Sequence, residues 1–166
     1  MVPDATVQGN PRGIFDRSTR GARTEAVDFE VEAGRVIFFA ETVGETDPIH
    51  LDREAARAAG YPDVVAPATF AIVIDLEAGR LIEKRGGMGG LTLINSDFRR
   101  LLHGEERYDY GGLVFAGDVL TVQTDVVGFE DKKGGALEFA HLRTLISHPV
   151  RGPLVTITRS VLHRLG

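Results

Sequence analysis

The chain has 166 residues, 43% apolar and 26% charged, with no cysteine and a formal net charge of -5. That length and mixture are those of one globular domain with a real core. The acidic balance excludes the basic footprint of a nucleic-acid surface. The missing cysteines exclude disulfides, thiolate metal sites and a cysteine nucleophile. Residues 1 to 23 are rich in Gly, Pro, Arg and Asp with no sustained period, so they are expected as an arm lying on the surface or on a partner, ahead of a domain over 24–166. The first thirteen residues lack the charged-then-apolar order of a secretory signal, and no apolar run reaches the ~20 residues of a membrane helix. No membrane association is expected, and the expected location is the cytoplasm.

From Thr24 to Glu32, Val27, Phe29 and Val31 alternate with Ala26, Asp28, Glu30 and Glu32, the period of a half-buried strand. Residues 34–43 read as a short helix closed by Gly44. Glu45, Asp47 and His50 then fall in one tight turn, Gly-Glu-Thr-Asp-Pro-Ile-His. Asp52 can cap a second short helix that stops at Gly60. A proline-bounded loop leads to Pro67, and residues 68–85 form a strong helical pattern whose first half is apolar nearly all round, so that half should be buried. After the glycine run at 86–90 the chain changes character. Residues 91–98, 105–114, 118–129, 137–147 and 154–163 all have strand composition, and EDKKGG at 130–135 is the clearest hairpin signal. One long buried helix followed by antiparallel strands predicts an α+β domain in which a sheet wraps the helix.

The turn carries the chemistry. It sets titratable side chains just ahead of a helix N-terminus that can stabilise negative charge. Here the residues resemble a known family. FAETVGETDPIHLDREAARAAGYPDVVAPATF is similar to the signature of MaoC-like (R)-specific enoyl-thioester hydratases and 3-hydroxyacyl-thioester dehydratases of the hot-dog fold, in the branch with the N-terminal MaoC-like dehydratase domain. Phe39, Ala40, Gly44, Pro48, Ile49, His50 and Asp52 match as they stand, and HGEERYDY at 103–110, AGDVLTV at 116–122 and the final TRSVLHR extend the likeness.

The resemblance implies a single hot-dog domain and reversible addition of water to a 2-enoyl thioester of coenzyme A or acyl carrier protein. It implies pairing through the sheets as a homodimer or a heterodimer. His50 takes the place of the family's catalytic histidine and Glu45 that of its aspartate, with one methylene added. Asp47 stands where the family has asparagine. Either the repulsion of two carboxylates keeps one of them protonated near neutrality, or Asp47 makes the turn hydrogen bonds that asparagine would make. Pro67 has no N–H, so the amide of Ala68 or Thr69 is left to bind the thioester oxygen, and the resemblance favours Ala68. His103 and Glu105 are second candidates for the pocket wall. His141, His148 and His163 show no partner pattern, and no metal and no cofactor is expected. GGMGG and KKGG are too loose for phosphate loops. Two alternatives remain: a non-catalytic partner subunit of a heteromeric dehydratase, kept open by Glu45 and Asp47, and a hot-dog acyl-CoA thioesterase, against which GETDPIH speaks because it resembles the hydratase turn and not the motifs of the thioesterase branch.

Overall fold

A computed structural model describes residues 10–165. Its helices are α1 (Ala33–Thr42), α2 (Arg53–Ala58), α3 (Ala71–Lys84) and the single-turn α4 (Gly90–Leu93); its strands are β1 (Val27–Glu30), β2 (Leu101–Tyr110), β3 (Val119–Lys132), β4 (Leu137–His148) and β5 (Gly152–Arg164). The five strands form one antiparallel sheet in the order β1-β3-β4-β5-β2. No helix among the described residues is long and apolar enough to cross a membrane.

The sheet curls around α3. Ala71, Ile74, Ala78 and Ile82 lie on one face of that helix at three- and four-residue spacing and are buried. They meet the inward side chains of the strands, Leu120 and Val122 from β3, Ile146 from β4, and Val155 and Ile157 from β5. The bulge in β3 at Val126–Gly128 adds the bend that lets a long strand wrap. The helix expected over 68–85 is present, with its first turn tightened into a 3-10 turn at Ala68–Phe70, where the Phe70 N–H donates to the Pro67 carbonyl.

Two expected strands are corrected. Residues 91–98 hold the α4 turn and a loop: Ile94 is buried against the second apolar cluster with Leu91 and Leu93 beside it, a helical spacing rather than an alternation. Glycine permits this crossing, because a Cβ on Gly89 would stand 3.2 Å from the Gly79 Cα in α3. The strand expected over 105–114 runs instead from Leu101 to Tyr110. A Cβ on Gly111 would lie 2.8 Å from the Pro153 carbonyl oxygen, and the chain leaves the sheet at that glycine pair.

Residues 10–23, expected as an arm, insert Phe15 into the second cluster, where its ring stacks on His163 with centroids 4.1 Å apart. Glu138 and His163 are both fully buried, with His163 Nδ1 2.9 Å from Glu138 Oε1. The same oxygen accepts the N–H groups of Ile14 at 2.6 Å and Phe15 at 3.2 Å. Nearer the surface, Arg17 donates to Asp131, and this hydrogen bond holds the Asp131 carboxyl below its ordinary range, against a smaller opposing effect of burial. A depressed carboxyl contributes stability above its unfolded pKa, and that stability is lost as pH falls through the folded one. Asp131→Asn is therefore expected to cost about 1 kcal/mol at pH 7, and the gap from wild type should close below pH ~4; urea midpoints at the two pH values check this.

Candidate active site

The GETDPIH turn is built by its own backbone bonds. Gly44, at φ +77°, closes α1: the Gly44 N–H donates to the Glu41 carbonyl and the Glu45 N–H to the Ala40 carbonyl. This is the paired-bond helix ending that favours glycine in the left-handed region, and it fixes where Glu45 starts. The Glu45 side chain folds back so that Oε1 accepts the N–H groups of Thr46 at 3.0 Å and, more weakly, Asp47 at 3.4 Å. The extra methylene, relative to aspartate, is taken up by that curl.

Asp47 caps the following 3-10 turn (Pro48–His50), its Oδ1 accepting the Ile49 N–H at 3.1 Å, while its carbonyl accepts the His50 N–H. Of the two readings of Asp47, the turn bonds are the ones present; Asp47 is exposed and lies off the cavity wall. Asp52 then caps α2 through the Ala55 N–H.

His50 is half-buried, and its Nδ1 lies 2.6 Å from the carbonyl oxygen of Val65. A carbonyl only accepts, so Nδ1 carries the proton and Nε2 keeps a free lone pair. The Val65 N–H in turn donates to the Ile49 carbonyl, which ties the turn to Val64–Ala66 at two points. That segment is pinned on its far side: Ala66 donates to Val114, and Ala116 to Val64.

From Ala66 the chain passes through Pro67 into the 3-10 turn ahead of α3. The N–H groups of Ala68 and Thr69 find no acceptor among the described residues. They point from a helix start, where the aligned peptide dipoles favour negative charge.

Glu45, His50, Pro67 and Ala68 line one cavity of about 640 Å³. Its remaining wall is mostly apolar, with Ile49, Phe70, Ile74, Val114 and Val155 on the inside and Tyr61 and Tyr110 among the residues that flank them. The cavity therefore joins a proton acceptor, a carboxylate and an unpaired amide to a greasy interior. Such a site can move protons on a molecule that has one polar, carbonyl-bearing end and an apolar remainder.

Three other candidates lie elsewhere. Thr69 is exposed and outside the cavity wall. His103 and Glu105 sit on β2, the edge strand, and neither lines the cavity; His103 Nε2 is 2.9 Å from Glu106 Oε2 and its side chain is 58% exposed. The sequence reading missed Tyr110, Ile74 and Val155. Only the alternation of β5 (Val155, Ile157, Arg159) and the face of α3 could have shown that these residues converge.

A second cavity of about 400 Å³ flanks the C-terminal half of α3. Asp75 and Arg159 meet there at 2.6 Å, and Arg159 also donates to Glu106 at 2.8 Å. Burial opposes the Arg159 charge, but Asp75 and Glu106 outweigh it and hold the guanidinium above its ordinary range. All three groups are paired, so this cluster reads as a brace across the sheet. Among the described residues no three His, Asp or Glu side chains gather to hold a metal ion.

A family model described as "FAS1-like, dehydratase domain region" matches residues 18–155. A UPF0336 protein from Saccharopolyspora erythraea is 33% identical over 138 residues, 83% of this chain and 83% of that one. Among solved structures, the HadBC (3R-hydroxyacyl-ACP dehydratase) complex from Mycobacterium tuberculosis superposes with a TM-score of 0.69 at 21% identity, covering 87% of this chain and 96% of that one. The MaoC-like dehydratase from Rhodospirillum rubrum gives 0.67 at 19% identity, covering 93% and 99%. The fold is the hot-dog fold that the sequence led us to expect.

Proposed function

We propose that this chain, which belongs to the FAS1-like dehydratase domain family, reversibly hydrates 2-enoyl thioesters to (R)-3-hydroxyacyl thioesters of coenzyme A or acyl carrier protein. The observation that carries the reading is the convergence of Glu45, His50 and Ala68 on one apolar cavity.

In the hydration direction, His50 Nε2 takes a proton from water as the water oxygen attacks Cβ. The electron pair of the alkene moves toward the thioester carbonyl, where the Ala68 N–H meets the growing negative charge. His50 passes that proton through water to the Glu45 carboxylate, which delivers it to Cα, so one water proton ends on Cα, the other stays on the new hydroxyl, and both groups finish as they began. Val65, through its carbonyl, keeps the imidazole in the tautomer that the first step needs. Asp47 acts on the reaction only through the turn that it caps.

Pairing with a second hot-dog subunit, identical or not, accompanies this reading. Phe98 and Leu102 are exposed at 65% and 50% beside the free edge of the sheet, the kind of surface that subunit pairing covers. The structures it resembles include heteromeric assemblies, the HadBC and ChsH1-ChsH2 complexes.

A second reading, a non-catalytic subunit that shapes the acyl tunnel of a partner, is favoured by one feature, the Glu45 carboxylate curled onto its own backbone. Purified protein assayed alone with crotonyl-CoA and longer enoyl-CoAs separates the two. Loss of the enoyl absorbance is expected. No loss until a second subunit is added would establish the alternative, and release of free thiol would indicate thioester cleavage instead.

A further inference from the structure

We infer that Tyr110 is a positioning residue for the amide that receives the thioester oxygen, an inference that rests on the hydration reading above. The Tyr110 hydroxyl donates to the Ala68 carbonyl at 2.8 Å. That bond joins the last residue of edge strand β2 to the first residue of the turn that opens into α3. Among the described residues the Ala68 and Thr69 N–H groups have no acceptor, so the carbonyl between them is the handle by which another strand can hold the turn.

The hydroxyl is itself held in place. The Tyr110 ring stacks on Tyr108 with centroids 6.2 Å apart and planes 13° apart. Tyr108 packs against the main core and lies next to Glu106, which Arg159 holds. Arg159 in turn grips Asp75 of α3. A polar ladder thus leaves α3 at Asp75, crosses β5 and β2, and returns to the chain at Ala68, three residues before α3 begins. Burial raises the Tyr110 hydroxyl pKa above its ordinary value, so it stays a donor throughout the neutral range.

A hydrogen bond accepted by the Ala68 carbonyl acts on the geometry of the turn. It fixes the plane of the Ala68–Thr69 peptide, and it thereby restricts rotation about Ala68, which holds in place the Ala68 N–H one bond back along the chain, beside the cavity that Tyr110 also lines. Stabilisation by an amide depends on where it points when charge develops, so loosening it should be felt mostly in the transition state.

The test is Tyr110→Phe in the full chain, which keeps the ring and its stack. For hydration of crotonyl-CoA we expect kcat to fall about ten-fold with KM within two-fold of wild type, the pattern of an interaction realised at the transition state. The infrared stretch of the thioester carbonyl in a bound, unreactive acyl-CoA should move back toward its value in water, and the thermal midpoint should stay put. An unchanged kcat, or a loss wholly in KM, or an unshifted carbonyl stretch would overturn the role of Tyr110. The infrared measurement needs no turnover, so it decides the matter even if the chain proves to be a tunnel-forming subunit. Failure of wild type to hydrate crotonyl-CoA, with a stretch that still differs between wild type and variant, would count against the hydration reading alone.

Discussion

Replacing His50 with alanine is expected to lower kcat for hydration of crotonyl-CoA by about 10²- to 10⁴-fold, the contribution of a positioned general base, with little change in KM. The expectation rests on the single free nitrogen of the ring. Nδ1 is committed to the Val65 carbonyl, so the remaining lone pair is the one that can take a proton, and no other histidine lines the cavity. His50→Asn sharpens the test, because its amide N–H can stand in for Nδ1 toward Val65 while nothing replaces Nε2. The two variants should lose activity alike and melt like wild type. An asparagine variant that retains more than a tenth of wild-type turnover would mean that proton transfer does not run through position 50.

The largest expected effect on stability belongs to Glu138→Ala. One carboxylate oxygen, in a fully buried side chain, accepts from Ile14, Phe15 and His163. The other oxygen has no hydrogen-bond partner among the described residues and lies 3.8 Å from the Arg17 guanidinium. His163 Nε2 is already engaged by the Asp97 N–H at 3.1 Å, so its proton is on Nδ1, facing Glu138. Truncation would leave two buried donors, Phe15 N–H and His163 Nδ1–H, and the half-buried Ile14 N–H with no acceptor. Each buried donor left without an acceptor costs about 1–3 kcal/mol, so the loss should reach about 3–5 kcal/mol, a large share of the ~5–15 kcal/mol that holds a domain together. Urea unfolding should show the loss directly, and limited proteolysis should find residues 10–23 newly open to cleavage. A cost below about 1 kcal/mol would mean that water enters and replaces the carboxylate.

The legible part of the fold was its periodic part. The apolar face of α3 and the alternation of β3, β4 and β5 are strong patterns, and the hairpin at 130–135 lies where its glycines put it. Residues 91–98 failed because LTLI serves a strand or a helical turn equally well; what decides is the close pass of Gly89 over Gly79, a contact between segments that no local window contains. Phe15 was invisible for the opposite reason. It sits in a stretch without period, and its burial depends on Glu138, more than a hundred residues away.

Something similar holds for the site. His50, Glu45 and Ala68 are close in sequence and their turn signature is compact, so they could be named together. Tyr110 and Val155 reach the same cavity from β2 and β5, and their arrival depends on strand register, Tyr110 opposite Val155. Asp47 could be placed but not interpreted, since a carboxylate that caps a turn and one that assists a proton transfer read identically in sequence. One signal was available and passed over. Glu138, Arg159 and His163 fall on the inward parity of their strands, and an ionisable residue at such a position demands a partner.

The imidazole leans on the carbonyl of residue 65, and the open amide belongs to residue 68. Both therefore hang from one span of chain with Pro67, a stiff link, inside it. The separation of these two groups is set by a few covalent bonds, as on a ruler, while much of the cavity wall comes from segments remote in sequence, among them Tyr110 and Val155. Under the proposed hydration, such a division lets ligand preference drift by changes at Leu113, Val114 or Val155 without retuning the chemistry, and it makes a one-residue insertion between 65 and 68 far more damaging than one in the loop after Gly111.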